Sequence, residues 1–310
     1  MAPRLDPQIE AWLRAYPAPD VDPWDVAAVR ELAAAYMADR GGPAPRWPRD
    51  DVTLTDANVG GVPVLIWSPR TRNSERQNPV VIALHGGAFV VGSALGAERI
   101  AMPLAADHQI TTVSVEYRLA PEHPFPAAFD DVVAVLMNLS ELPDIDGDRI
   151  AVHGSSAGGA LAAATALWAR DHGVDLKLQS LTCPALDHLS AQCEHLSASM
   201  SGVSPTLRRE AVIAMWHHYL GTIEPTPYAV PALADDLVGL APAHITIAEY
   251  DVLRDEALIY AERLRAAGVT VGVDRTVGTV HGFDGLLTDS NVASRAVTRQ
   301  VEALANALGR

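Results

Sequence analysis

Cysteine is almost missing from this sequence: Cys183 and Cys193 are the only two among 310 residues. Two thiols cannot build a disulfide framework, and no CxxC or Cys/His ligand spacing accompanies them, so no metal site is expected. Free thiols in a reducing cytosol are the default reading. Basic residues are also scarce, with 23 Lys and Arg against 38 Asp and Glu and a formal net charge of −15. Such a field repels phosphate backbones and anionic headgroups, which argues against nucleic acid and membrane surfaces as partners. Nowhere do about eighteen apolar residues run together, so no membrane span is expected. The opening MAPRLDPQIEAW lacks a basic segment followed by an apolar one, so no secretory leader and a cytoplasmic location are expected. Asn138-Leu139-Ser140 matches a glycosylation acceptor and is read as chance in that setting.

What is present describes an ordinary globular chain, 49% hydrophobic and 20% charged. Its length suits one α/β domain with a small accessory cap. Ile9, Trp12, Leu13 and Tyr16 recur at helical spacing, and a second amphipathic stretch from Trp24 to Met37 ends at Gly41, Gly42 and Pro43. These two helices need a surface on which to bury their apolar stripes. Val52–Leu54 and Val62–Trp67 flank Asn58-Val59-Gly60-Gly61, a hairpin signal that predicts an antiparallel start to the sheet. Short apolar strands then alternate with helices. The strand runs are Val80–Leu84, Thr111–Val115, Ile150–Val152, Leu178–Thr182, Ile245–Ala248 and Val269–Val273. Helical runs fall near 96–107, 127–141, 157–172, 253–267 and 290–308. This rhythm predicts a mostly parallel sheet covered on both faces.

One connection breaks the pattern. From Asp187 to about Leu233 no strand-like run occurs, but a helical stretch from Thr206 to Leu220 does. Ordinary connections have about 4–6 residues, so this one is read as a functional insertion. The expected organisation is cap helices over 1–48, core over 49–186, a cap insertion over 187–233, and core again over 234–310.

Gly154-Ser155-Ser156-Ala157-Gly158 is a G-x-S-x-G pentapeptide lying between the strand ending at Val152 and a helix starting near Ala157. Strand, sharp turn and helix are the context of a nucleophile elbow, in which the glycines permit close approach and the serine stands at the tip. The helix N-terminus beside Ser156 favours negative charge. His85-Gly86-Gly87-Ala88 follows the strand ending at Leu84. Acyl transfer develops an oxyanion, and a glycine-rich loop can aim backbone amides at it; the expected donors are Gly87, Ala88 and Ala157. A serine also needs a base held in one tautomer by an acid, and in this fold the chain order is serine, acid, histidine. Asp251 closes the run Ile245–Tyr250, and His281 follows the stretch Val269–Val277. Asp255 lies inside the next helix, where capping is its better role. His108, His172, His195, His217 and His218 fall in helical or cap contexts, His153 precedes the elbow, His244 starts a strand and His123 sits in a proline-rich loop. Only His281 stands at a late strand's carboxyl end, where open α/β sheets hold their ligands.

With these residues in view, the chain resembles the hormone-sensitive-lipase-like family of α/β hydrolases, specifically its bacterial carboxylesterases. The resemblance runs from about residue 50 to the end. It rests on His85-Gly86-Gly87-Ala88-Phe89, Tyr117-Arg118-Leu119-Ala120-Pro121-Glu122, Gly154 to Gly159, Tyr250-Asp251-Val252-Leu253-Arg254-Asp255-Glu256 and His281-Gly282-Phe283. It implies Ser156 as nucleophile, Asp251 as triad acid, His281 as base, and an N-terminal cap plus a later insertion enclosing the acyl pocket. Three positions depart from the family pattern: Ala88 replaces a glycine, Ser155 an aspartate and Val252 a proline. The resemblance also implies short-to-medium acyl esters as substrates, with no metal or organic cofactor. Phe89, Met215, Trp216 and Phe283 are candidates for the pocket lining, each equally readable as core. An amidase, peptidase or lactonase with the same triad, and a non-catalytic small-molecule receptor on the same scaffold, remain the alternatives. By family analogy a homodimer is admissible, the last strand lying at or near the sheet edge.

Overall fold

The computed structural model describes residues 4–16, 21–39, 49–71, 77–191, 204–287 and 290–309. Cys193 and the Gly41-Gly42-Pro43 ending of the second helix lie outside them. Eight strands form one sheet in the order β1-β2-β4-β3-β5-β6-β7-β8. They are β1 (Val52–Val59), β2 (Val62–Pro69), β3 (Asn78–Leu84), β4 (Thr111–Val115), β5 (Ile145–Ser155), β6 (Leu176–Thr182), β7 (Ala243–Tyr250) and β8 (Val271–Val280). The Gly60-Gly61 turn, with both φ angles positive, closes the antiparallel β1–β2 hairpin, and β2 pairs antiparallel with β4. All later pairings are parallel.

The alternation of side chains along the strands divides the core between two faces. On one face Ile82, Val113 and Val152 meet α4 (Ala127–Met137), α5 (Ala157–Asp171) and α7 (Arg254–Ala266). On the other, Val81, Ala151 and Leu178 meet α3 (Glu98–His108) and α9 (Asn291–Leu308). Helix α9 is built for that position. Val297, Val301, Leu304 and Leu308 recur every three to four residues on its buried face, and Ser290 caps its start by accepting from the Ala293 amide at 3.2 Å.

Two further pieces lie near the carboxyl ends of the strands. Helix α1 (Pro7–Ala15) buries Ile9 against Val280, Ala293 and Phe283 of the short helix α8 (Phe283–Leu286), while α2 (Val26–Asp39) lays Val26 and Val29 on the main core. After β6 the chain returns through α6 (Arg209–Leu220), which buries Val212, Met215, Trp216 and Tyr219. No strand interrupts the described part of this connection.

The last strand differs from expectation. It begins at Val271 and runs on to Val280, through Asp274, Arg275 and Gly278. Gly278 sits at φ 72°, its carbonyl takes the Asp6 amide at 2.9 Å, and its own amide goes to Glu249 Oε2 at 2.7 Å. These outside partners carry the strand across a glycine that would otherwise end it.

Candidate active site

Neighbouring strands β3 and β5 send the chain in opposite directions, β3 to β4 on one side and β5 to β6 on the other. A crevice opens at such a switch point, beyond the carboxyl ends of the strands. Leu84 at the end of β3 is in register with Gly154 of β5, and Ser155 of β5 with Thr182 of β6. The loop after β3 and the elbow after β5 therefore flank that crevice.

The elbow is as tight as its glycines require. Ser156 stands at φ 53°, ψ −118°, a strained conformation for a residue with a side chain. A Cβ at Gly154 would lie 2.0 Å from the Gly158 carbonyl oxygen, and one at Gly158 would lie 2.1 Å from the Leu84 carbonyl oxygen. A methyl group at Gly159 would meet Pro184 Cβ at 2.7 Å. Bonds from the Ser156 amide to the Thr182 carbonyl (2.9 Å) and from the Ala185 amide to the Ser156 carbonyl (3.1 Å) lock the turn.

Three distant side chains converge here. His281 Nε2 lies 2.9 Å from Ser156 Oγ, and its Nδ1 lies 2.8 Å from Asp251 Oδ2. An ionised carboxylate only accepts, so Nδ1 carries the proton and Nε2 is left as acceptor for the serine hydroxyl. Asp251 is 1% exposed and its other oxygen takes the Leu253 amide at 3.0 Å, which fixes the carboxylate plane. Burial pushes the His281 pKa down, but the charge and hydrogen bond of Asp251, with a smaller push from Asp284, hold it above the ordinary value. The Thr206 hydroxyl donates to the backbone carbonyl of His281 at 2.9 Å. Cys183 is buried beside the pair, its sulfur and the facing Asp251 and His281 atoms all lying within 4.8 Å of one another. Burial, with Asp251 and Asp284 nearby, pushes this thiol well up, so it stays protonated and is a poor metal ligand.

The loop after β3 leans on Ser156: a Cβ at Gly86 would come within 3.4 Å of Ser156 Cβ. Gly87, Ala88 and Phe89 have φ of 126°, 54° and 61°, three positive values in succession. Glycine is required at 87, where a Cβ would lie 2.0 Å from the Val91 carbonyl oxygen. Ala88 has no such excuse and holds the left-handed region at a cost of about 1–2 kcal/mol. Among the described residues, the N–H groups of Gly87, Ala88 and Ala157 engage no acceptor. His85 is neutral, its pKa lowered to about 4 by burial. It stacks on Tyr117 at 4.1 Å, and the Tyr117 hydroxyl donates to the His85 carbonyl at 2.7 Å. That histidine shapes the loop.

The remaining sequence candidates are spread around this centre. Phe89 stacks on Tyr219 of α6 with ring centroids 3.7 Å apart, and the tilted Trp216 ring lies at a centroid distance of 5.8 Å. Met215 is buried in the main core, and Phe283 is fully buried with Ile9, Cys183 and Val280 beneath the histidine. Asp255 pairs with Arg254 at 2.8 Å, and His153 is buried with Ser180 3.1 Å from its Nδ1, so neither joins the three convergent residues. Val252, at the position where the family pattern has proline, is buried in the core. Sequence reasoning overlooked Glu256. It is buried, takes the Leu186 and Asp187 amides and the Ser190 hydroxyl, and burial raises its pKa to about 8. Its presence in the Tyr250–Glu256 motif was the available signal.

Known proteins share this arrangement of elements. A family model described as the alpha/beta hydrolase fold matches residues 81–285. The chain is 35% identical to a carboxylesterase of Mycobacterium tuberculosis, NlhH, over 99% of this chain and 97% of the relative. A bacterial heroin esterase superposes with a TM-score of 0.88 at 34% identity, covering 98% of both chains. An esterase from the bacterial hormone-sensitive lipase family superposes with a TM-score of 0.82 at 27% identity, covering 99% of this chain and 100% of that one. Among the described residues no helix is long and apolar enough to cross a membrane. The chain belongs to the α/β-hydrolase family, among its hormone-sensitive-lipase-like carboxylesterases.

Proposed function

We propose that this carboxylesterase hydrolyses short-to-medium acyl esters by two-step acyl transfer through Ser156. The observation that carries the reading is the unbroken contact from Asp251 through His281 to Ser156. Ser156 Oγ attacks the ester carbonyl as His281 Nε2 takes its proton, and the amides of Gly87, Ala88 and Ala157 receive the oxyanion. His281 then protonates the departing alcohol. Water repeats the sequence, with His281 again as base, and the acid leaves. Asp251 keeps the ring in the productive tautomer throughout and stabilises its cationic form.

Residues 1–48 and 187–233 are read as two parts of a cap over this centre, with the core in 49–186 and 234–310. Contacts between the two parts support that division. The Trp24 ring meets His217 at 5.0 Å and His218 at 5.7 Å, Arg208 reaches the Val21 carbonyl at 3.4 Å, and Thr206 holds the carbonyl of His281. Phe89 and Trp216 are assigned to the apolar wall on the α6 side. Esters are preferred to amides in this reading. Across matched p-nitrophenyl esters and anilides, kcat/KM for the ester of each pair is expected to exceed that for the anilide at every acyl length, with a maximum at short-to-medium chains. Anilides cleaved as fast as esters would make the protein an amidase.

A homodimer is also proposed, through the free edge of β8. Among the described residues no strand pairs with β8 on the side away from β7, and Val277 on it is 75% exposed. Edge strands with unpaired backbone groups are ready templates for a second copy. Light scattering is expected to give twice the chain mass, and a monomeric mass would rule the dimer out.

A further inference from the structure

The oxyanion loop is held from outside by one side chain of the N-terminal arm. Asp25 starts α2, its carboxylate taking the Ala28 amide at 3.0 Å, and Arg30 follows on the first turns of that helix. Its guanidinium spans two loops that lie 60 and 90 residues further along. Nε donates to the Val90 carbonyl at 2.9 Å, and Nη2 donates to the Ala120 carbonyl at 3.1 Å. Nη1 and Nη2 together grip Glu122 in a two-pronged pair at 2.6 and 2.7 Å. The Ala120 amide, in turn, donates to the Phe89 carbonyl at 2.9 Å. Val90 and Phe89 directly follow Gly87 and Ala88, the residues with positive φ whose amides face no acceptor. Strained backbone persists only where its surroundings fix it. The turn's own bonds run from the Val90 and Val91 amides to the Gly87 carbonyl at 3.0 and 2.9 Å, and the bonds that reach it from outside at Phe89 and Val90 come from Arg30 and from the loop that Arg30 itself pins.

We propose that Arg30 is a positioning residue for the oxyanion loop, holding the Val90 and Ala120 carbonyls so that the Gly87 and Ala88 amides stay where the oxyanion forms. The inference rests on the assignment of those two amides as oxyanion donors. It gives the N-terminal arm a role in the chemical step beyond covering the site. It also gives a purpose to Glu122, the last residue of the Tyr117–Glu122 motif, which closes the guanidinium's grip from the solvent side. The hydrogen bond from Arg30 brings the Glu122 pKa down to about 2, so the pair stays charged through the neutral range. A lysine could occupy the site but not bridge it, because one ammonium cannot match the flat fork that reaches two carbonyls and a carboxylate together.

The test compares Arg30→Met, Arg30→Lys and Glu122→Gln in the full chain. It reads kcat and KM on p-nitrophenyl butyrate, the inhibition constant of an alkyl trifluoromethyl ketone that forms a tetrahedral adduct, and the melting temperature. A displaced loop weakens only the interactions made in the tetrahedral state. Arg30→Met is therefore expected to lower kcat roughly 10–100-fold with KM held within about twofold, and to weaken the ketone by the same factor as kcat/KM. Arg30→Lys should recover part of both losses. Should Arg30→Met fail to fold, Glu122→Gln, which leaves the guanidinium in place, must still lower kcat several-fold and weaken the ketone in parallel. Unchanged kcat and ketone binding in the folded variants would overturn the role of Arg30. So would a fall in kcat that ketone binding does not follow. If the wild-type protein fails to bind the ketone at all, the oxyanion assignment itself is wrong, an outcome distinct from loss of the clamp alone.

Discussion

Replacing Ser156 with alanine is expected to lower ester turnover by about 10⁶-fold, close to the limit seen when an activated nucleophile is removed. The size of the effect follows from the division of labour at the site. Without Oγ no acyl-enzyme forms, and His281 and the loop amides can only assist direct attack by water. Ser155 provides the internal control. It is the last residue of β5, paired in register with Thr182, and lies one position before the elbow's tip. Ser155→Ala should keep most of the activity, and circular dichroism should be unchanged in both variants. The reverse ranking in steady-state assays would make Ser155 the nucleophile and contradict the role of Ser156.

The second large effect is expected at Asp251. Asparagine in that position keeps the shape but can donate its amide N–H to Nδ1, which favours the tautomer with the proton on Nε2. That ring cannot accept from the serine, and kcat should fall by about 10⁴-fold. The pH profile distinguishes this from general damage. In the wild type the base must be neutral, and His281 is held above the ordinary value of about 6.5, so kcat/KM should rise with pH along a single limb lying above 6.5. With the carboxylate removed, burial is left as the main influence and the limb should move to lower pH. The sign for stability is opposite to that for activity. A raised histidine pKa stabilises the folded chain below the unfolded pKa, and this contribution is lost as pH rises through the folded pKa. Activity therefore grows as that contribution fades. A limb that stays in place in Asp251→Asn would show that Asp251 does not set the charge of His281.

Much of this was legible in the sequence because it depends on local rules. Gly154, Gly158 and Gly159 announce an elbow since only glycine tolerates the contacts found there, and the apolar strands are short because parallel strands are buried on both faces. Asp251 and His281 could be picked out by chain order and by their places at strand ends. Other features depend on partners supplied by folding. Strand β8 runs past its local pattern because Gly278 and the polar residues before it end a strand by local rules, while Asp6 and Glu249 extend it in space. The left-handed φ of Ala88 explains why the family pattern has glycine there, but no local signal predicts that alanine keeps the same conformation. Arg30 was invisible for the same reason: nothing near it in the chain hints at loops some 60 and 90 residues away. Glu122 was visible as part of a motif, without its chemistry.

The central claim is that His281 activates Ser156 to carry the acyl group. The most direct measurement is mass spectrometry of the protein after treatment with an organophosphonate ester, followed by peptide mapping. One adduct per chain is expected, on the peptide bearing Ser156, and its rate of formation should collapse in His281→Ala. An adduct on another residue, or one that forms equally fast without the imidazole, would contradict the account.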